Sequence, residues 1–137
     1  MAQFQSFEEF WPFYVKEHAQ KTTRTLHFVG TTAAMACVVG SVLLRKKWLL
    51  AVAPVAGYAP AWVGHFFVEK NRPASFKHPL WSLRADFVMW TKIATGTMDA
   101  EVERVLATDR AEAARKSEEA DAPRGAPVPV TASETVN

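Results

Sequence analysis

Two apolar runs decide what this chain can fold into. Phe28 to Leu44 gives 17 residues without a formal charge, and Trp48 to Val68 gives 21 more, with His65 near the end of the second. Only Arg45, Lys46 and Lys47 lie between them. A helix crosses a bilayer with ~20 apolar residues, and ~17 is the lower end of the range. Two such runs joined by a basic turn predict a transmembrane hairpin, with Trp48 at an interface. The competing expectation is a pair of core helices in a soluble bundle. Against it stand the segment lengths and the lack of a polar face on either run. Pro54, Gly57, Pro60 and Gly64 interrupt the second run at intervals of three or four. That pattern suits either a broken span whose carbonyls find other partners, or tight packing through small residues.

Further segments flank the hairpin. Ser6-Phe7-Glu8-Glu9 has the form of a capping box and opens a helix. Phe7, Trp11, Tyr14 and His18 follow as one stripe, which predicts an interfacial helix lying against the membrane. Lys21 to Arg24 is expected to break that helix and to supply a Thr N-cap for the next. After the hairpin, Leu80, Leu83, Phe87, Trp90 and Ala94 recur at helical spacing and predict another interfacial helix. The expected fold is therefore all-α, a membrane hairpin between interfacial helices, occupying residues 1–98. Residues 99–116 alternate charge around Val102, Val105 and Leu106 and predict a solvated helix. From 117 to 137 the chain is rich in Ala, Pro, Glu and Thr and is expected to be disordered.

Charge divides along the same boundary. Residues 1–98 carry 11 Lys and Arg against 5 Asp and Glu, and residues 99–137 carry 5 against 9. A basic core around apolar runs suits anionic headgroups, while no nucleic-acid motif appears. The N-terminus has an acidic pair and no basic leader, so no cleavable signal is expected. Seven basic residues flank the outer ends of the hairpin against three in its turn, which favours both termini in the cytoplasm. The expected location is an integral membrane one: the cytoplasmic membrane in a bacterium, the endoplasmic reticulum in a eukaryote. Small-residue faces on the spans permit a homo-oligomer without requiring one.

The hairpin has one geometric consequence for chemistry. His27 lies just before the first span and His65 near the end of the second, so an antiparallel pair brings them to one membrane face. His18 and His78 flank them, and all four histidines of the chain can converge there. His18 and His27 are nine residues apart and meet only if the chain breaks between them. His65 and Glu69, four apart, share a helix face. With a single cysteine, Cys37, histidine and carboxylate are the available ligands. Two or three imidazoles with a carboxylate suit non-haem Fe(II), although Zn, Cu, Ni and a bis-His haem stay open. A structural membrane protein that binds lipid or a metal without turnover is the alternative class.

Three stretches carry a resemblance. Phe13-Tyr14-x-x-x-His18, Leu26-His27-Phe28-x-Gly30-Thr31 and Gly64-His65-Phe66-Phe67-x-Glu69-Lys70-Asn71-Arg72-Pro73-Ala74 occur in the order, and with the residues, of the family typified by the fungal 2-hydroxy-fatty-acid dioxygenase. The chain resembles that family over residues 5–95. The resemblance implies an Fe(II)-dependent membrane enzyme that consumes O₂ and shortens a 2-hydroxy fatty acid by its carboxyl carbon. It implies iron ligation by His18, His27 and His65, with His78 a further candidate outside the fungal pattern. Glu69 is then expected as a ligand or as an acceptor orienting an imidazole. Arg72, Lys70 or Lys77 is expected to pair with the substrate carboxylate, Arg72 best because its fork suits a planar anion. The acyl chain is expected among Met35, Trp62, Phe66 and Phe67.

Overall fold

The computed structural model describes residues 4–121. Helices follow in the order α1 (Phe7–Glu17), α2 (Lys21–Leu43), α3 (Trp48–Val63), a π turn (Gly64–Glu69), a 3-10 turn (Ala74–Phe76), α4 (Pro79–Ala94) and α5 (Met98–Asp121). The described residues contain no strand. The fold is all-α, as expected, and α2 and the α3–π segment are the two helices long and apolar enough to cross a membrane.

α1 begins where the capping box puts it. The Ser6 hydroxyl accepts from the Glu9 N–H at 3.3 Å. The Glu9 carboxylate reaches back to the Gln5 N–H at 3.0 Å, one residue earlier than the usual partner. The chain then breaks at His18 to Gln20, earlier than expected, and Lys21 to Arg24 already belong to α2. Arg24 is the physical reason. Its buried guanidinium donates to the carbonyls of His18 (3.0 Å) and Ala19 (2.6 Å), and to Asp99 Oδ1 at 2.7 Å. These bonds satisfy carbonyls stranded at the end of α1. No Thr cap is used: Gln20 is the N-cap residue, and its N–H donates to Glu69 Oε1 at 2.7 Å.

The aromatic stripe of α1 packs inward. Phe7, Phe10, Trp11, Tyr14 and Val15 are buried against Ala85 and Met89 of α4 and Met98, Val102 and Val105 of α5. These three helices form a head with the protein's main apolar core. Beyond its buried positions α5 is solvated, as its charge pattern predicts, and it runs to Asp121, past the expected boundary at 116. The remainder of the expected tail, 122–137, lies outside the described residues. Trp11 Nε1 and the Arg104 guanidinium both donate to Glu101, at 2.7 and 2.6 Å. The Arg104 bond above all, helped by Trp11 and opposed by burial, holds that carboxyl at about 2.

The hairpin closes through small residues. Gly30 sits against the backbone of α3: a Cβ there would lie 2.6 Å from the Gly57 carbonyl and 3.3 Å from that of Ala56. Pro60 has no N–H to give the Ala56 carbonyl, so this bare stretch of α3 is where α2 approaches. α4 packs on α2 as well, with Trp90 stacked on Phe28 and bonded to Thr32 at 2.9 Å.

Gly30→Ala should destabilise the protein by about 1–3 kcal/mol through overpacking against backbone, read as a lower melting temperature in detergent. Gly40→Ala meets only Leu49 Cδ1 at 3.4 Å and should be neutral or slightly stabilising. Glu101 contributes stability that is complete above its ordinary value of 4.5 and lost as pH falls toward 2. Glu101→Gln should flatten the dependence of the melting temperature on pH over that window.

Candidate metal centre

Three histidines meet from three separate elements. His18 is the C-cap of α1, His27 lies in the second turn of α2, and His65 is the second residue of the π turn. All three are buried. His27 Nε2 stands 3.1 Å from His18 Nε2 and 3.2 Å from His65 Nε2. The break at His18–Gln20 lets residues nine apart face one another, as the sequence requires.

Each ring is gripped at its other nitrogen. His18 Nδ1 is 2.7 Å from the Tyr14 carbonyl, His27 Nδ1 is 3.0 Å from Asp86 Oδ1, and His65 Nδ1 is 2.7 Å from Asn71 Oδ1. A carbonyl and a carboxylate only accept, so those Nδ1 atoms carry the proton. The Asn71 amide is oriented by its other end, whose nitrogen donates to the Glu17 carbonyl and carboxylate at 3.0 and 2.9 Å. Three bare Nε2 lone pairs therefore point at one another. Burial foremost, then the other two imidazoles, pushes His18 well below its usual 6.5, which favours the neutral, ligating form. Unshared lone pairs at such distances repel, and a cation between them removes the conflict. Two imidazole nitrogens on one metal at about 2.0–2.1 Å stand about 2.9 Å apart at a right angle and about 3.3 Å at a tetrahedral angle. The two spacings at His27 fall between these values and all three ligand atoms lie within 4.8 Å of one another, so the residues fit a metal.

The local sequence explains the placement of His65. Gly64 lies against Thr23, where a Cβ would come within 2.9 Å of Cγ2. The π turn follows, of a kind often found at functional sites. Lys70 ends it in the left-handed region at φ +57°, and the Asn71 N–H folds back to the His65 carbonyl at 3.0 Å. The Glu-Lys-Asn run is thus a clamp that returns the Asn71 side chain to the His65 ring.

Above the imidazoles lies a cavity of about 470 Å³. Its polar end holds Tyr14, the three histidines, Ser82 and Asp86, and its apolar end reaches Val38, Val39, Ala53 and Pro54. From His27 to Val39 α2 rises ~18 Å. α2 forms the floor, α3 one wall and α4 the other, with Tyr58, Trp62, Leu83 and Phe87 exposed along the rim.

Several expected site residues lie elsewhere. His78 is the N-cap residue of α4, edge-on to Phe4 and Phe10, and does not join the three imidazoles. Glu69 accepts from the Gln20 N–H on the last residue of the π turn and reaches no imidazole nitrogen, because the wider turn ends the face it would share with His65. Lys70 and Arg72 are exposed and, like Lys77, line none of the cavity. Met35 and Trp62 do line it, whereas Phe66 and Phe67 project outward. Asp86 and Asn71 carry the orienting role instead. Asp86 also accepts from the Tyr14 hydroxyl, whose ionisation burial and Asp86 push well above 10. The signal for Asp86 was a lone acid amid Ala85, Phe87, Val88 and Met89. For Asn71 it was the residue after a helix end.

Asp86→Asn and Asn71→Ala should each lower metal affinity about 10–100-fold while leaving all three imidazoles present. Competition with a chelator of known affinity measures this, and unchanged affinity in both would show the Nδ1 partners to be irrelevant.

No curated protein and no solved structure matches the chain. Residues 4–98 match the family described as 2-hydroxy-palmitic acid dioxygenase Mpo1-like, a span that contains the hairpin, all three imidazoles and both residues that orient them by side chain. The chain belongs to the Mpo1-like family.

Proposed function

We propose that the protein is a membrane-bound, Fe(II)-dependent dioxygenase that converts a 2-hydroxy fatty acid into the fatty acid one carbon shorter. The convergence of three imidazole Nε2 atoms at the head of a long apolar cavity carries this reading. A ferrous ion held by His18, His27 and His65 would supply open positions for O₂ and for the substrate's oxygens, the usual role of such centres. The balance closes without a further reductant: acid and O₂ give the shorter acid, CO₂ and water.

The protein's own residues do the rest. The Tyr14 carbonyl, Asp86 and Asn71 hold the rings in the ligating tautomer, and Asp86 accepts from both Tyr14 and His27. The apolar walls take the acyl chain and exclude water from the reacting end. Membrane insertion of the hairpin is supported by what it leaves exposed. Only 17% and 22% of the two apolar windows are buried, far below what core helices of a soluble bundle need. Trp62, Leu83 and Phe87 along the rim then face lipid, and the substrate passes sideways from the bilayer into the cavity. Both termini sit on the side with more basic residues, the cytoplasmic one.

Metal analysis of anaerobically purified protein tests the proposal. Wild type should hold about one iron per chain, and His27→Ala and His65→Ala should lose it. The same wild type should consume O₂ with a 2-hydroxy fatty acid and release the shorter acid, and neither variant should. No metal after reconstitution with Fe(II), or bound iron without turnover, overturns the assignment. Zinc in place of iron points to another chemistry.

A further inference from the structure

We propose that Ser82 binds the substrate's carboxylate, so that the site recognises an acid through a neutral hydroxyl in place of a cation. The inference rests on the dioxygenase reading above and deepens it. Ser82 is 3% exposed, lines the cavity, and its Oγ has no hydrogen-bond partner. That is unusual in this protein. Other helical hydroxyls fold back onto the carbonyl four residues earlier: Thr25 onto Lys21, Thr32 onto Phe28, Thr108 onto Arg104 and, on α4 itself, Thr91 onto Phe87. For Ser82 that carbonyl belongs to His78 and receives the Ser82 N–H at 2.9 Å, with no bond from the hydroxyl. An unpaired buried hydroxyl is a standing cost to the fold. Thr23 Oγ1 shares the condition, but it packs beside Gly64 and is not part of the cavity lining.

Position gives the hydroxyl a task. Ser82 lies one turn before Asp86 on the same face of α4, and Asp86 grips His27. Ser82 therefore belongs to the polar end of the cavity lining, one turn from the residue that holds His27, with its hydroxyl covered by the surrounding protein. No Lys or Arg lines that cavity, and the Tyr14 hydroxyl is already committed to Asp86. A carboxylate brought into an apolar enclosure needs donors. A carboxylate oxygen not taken by a metal held at the imidazoles would require a donor from the protein, and Ser82 is the buried lining residue whose hydroxyl has no partner. Its place in the first turn of α4, at the positive end of the helix dipole, favours the same anion. A neutral donor also lets an uncharged cavity mouth admit the chain from lipid, which a buried guanidinium would oppose.

The test compares 2-hydroxyhexadecanoic acid with 1,2-hexadecanediol, which keeps the chain and the 2-hydroxyl but lacks the carboxylate. Binding to iron-loaded protein without O₂ is measured by calorimetry in detergent, for wild type, Ser82→Ala and Ser82→Thr. Ser82→Ala should weaken the acid about tenfold or more and the diol less than threefold, because bonds to charged groups are the stronger ones. Iron content should not change, and the melting temperature should hold or rise, since an unsatisfied buried group has been removed. Ser82→Thr should recover most of the acid's affinity. In turnover the loss should appear in KM more than in kcat. Equal affinity of Ser82→Ala and wild type for the acid overturns the inference while leaving the enzyme reading intact. An equal loss for acid and diol, with a lower melting temperature, shows a structural role and overturns it too. Wild type that binds no 2-hydroxy acid removes both readings together.

Discussion

A neutral imidazole has one proton for two nitrogens, and an acceptor at one of them decides what the other can do. In this protein every ring of the centre has such an acceptor, each of a different kind: a helix carbonyl, a carboxylate and an amide oxygen. Much of the local architecture exists to place them. α1 ends at His18 so that the ring can turn back on its own helix. The π turn and the left-handed Lys70 return Asn71 to His65. α4 brings Asp86 across to α2. Remove these partners and three rings remain near one another with no reason to point the same nitrogens inward.

Two bodies of structure divide the work. The head of α1, α4 and α5 has an aromatic core and the ion pairs that tie it together. The hairpin buries few large side chains and associates through Gly30, Gly57 and Ala34, with its large apolar residues outward. The cluster lies at the seam, with one imidazole from the head and two from the hairpin. Arg24 crosses that seam, rooted in α2 while bonded to the end of α1 and to Asp99 on α5. Its cost of burial is met by three acceptors, the condition under which a buried guanidinium stabilises.

Much of this was legible from residue order. The hairpin follows from run length and its basic turn, and the meeting of His27 and His65 follows from the hairpin, whereas the same reasoning gathered all four histidines and His78 stands apart. What resisted reading was of two kinds. The α1 stripe reads equally as lipid-facing or core-facing, since an aromatic face suits both surroundings, and only the packing of α4 and α5 decides between them. The orienting groups resisted because helix periodicity misleads at the site itself. A regular helix makes Glu69 the natural companion of His65, but the π turn hands that role to Asn71. Asp86 comes from 59 residues beyond its ring, a long-range contact with no local signature. Basic residues near the motif attracted the substrate's charge on paper, yet Lys70 and Arg72 look outward.

The π turn also sets a phase. A bond to the fifth residue back, in place of the fourth, accommodates one more residue than a regular turn holds. One residue of an α-helix is about 100° of rotation. The turn therefore acts as a rotary offset between the span and everything after it. A single-residue deletion between Val63 and Glu69 would convert it to a plain helix and swing Asn71 and Pro73 about a quarter of a circle around the axis. Substitutions along the exposed apolar face of α3 leave that offset untouched. The outer surface of α3 is thus free to vary in side chain, while the cluster beside it depends on the count of residues.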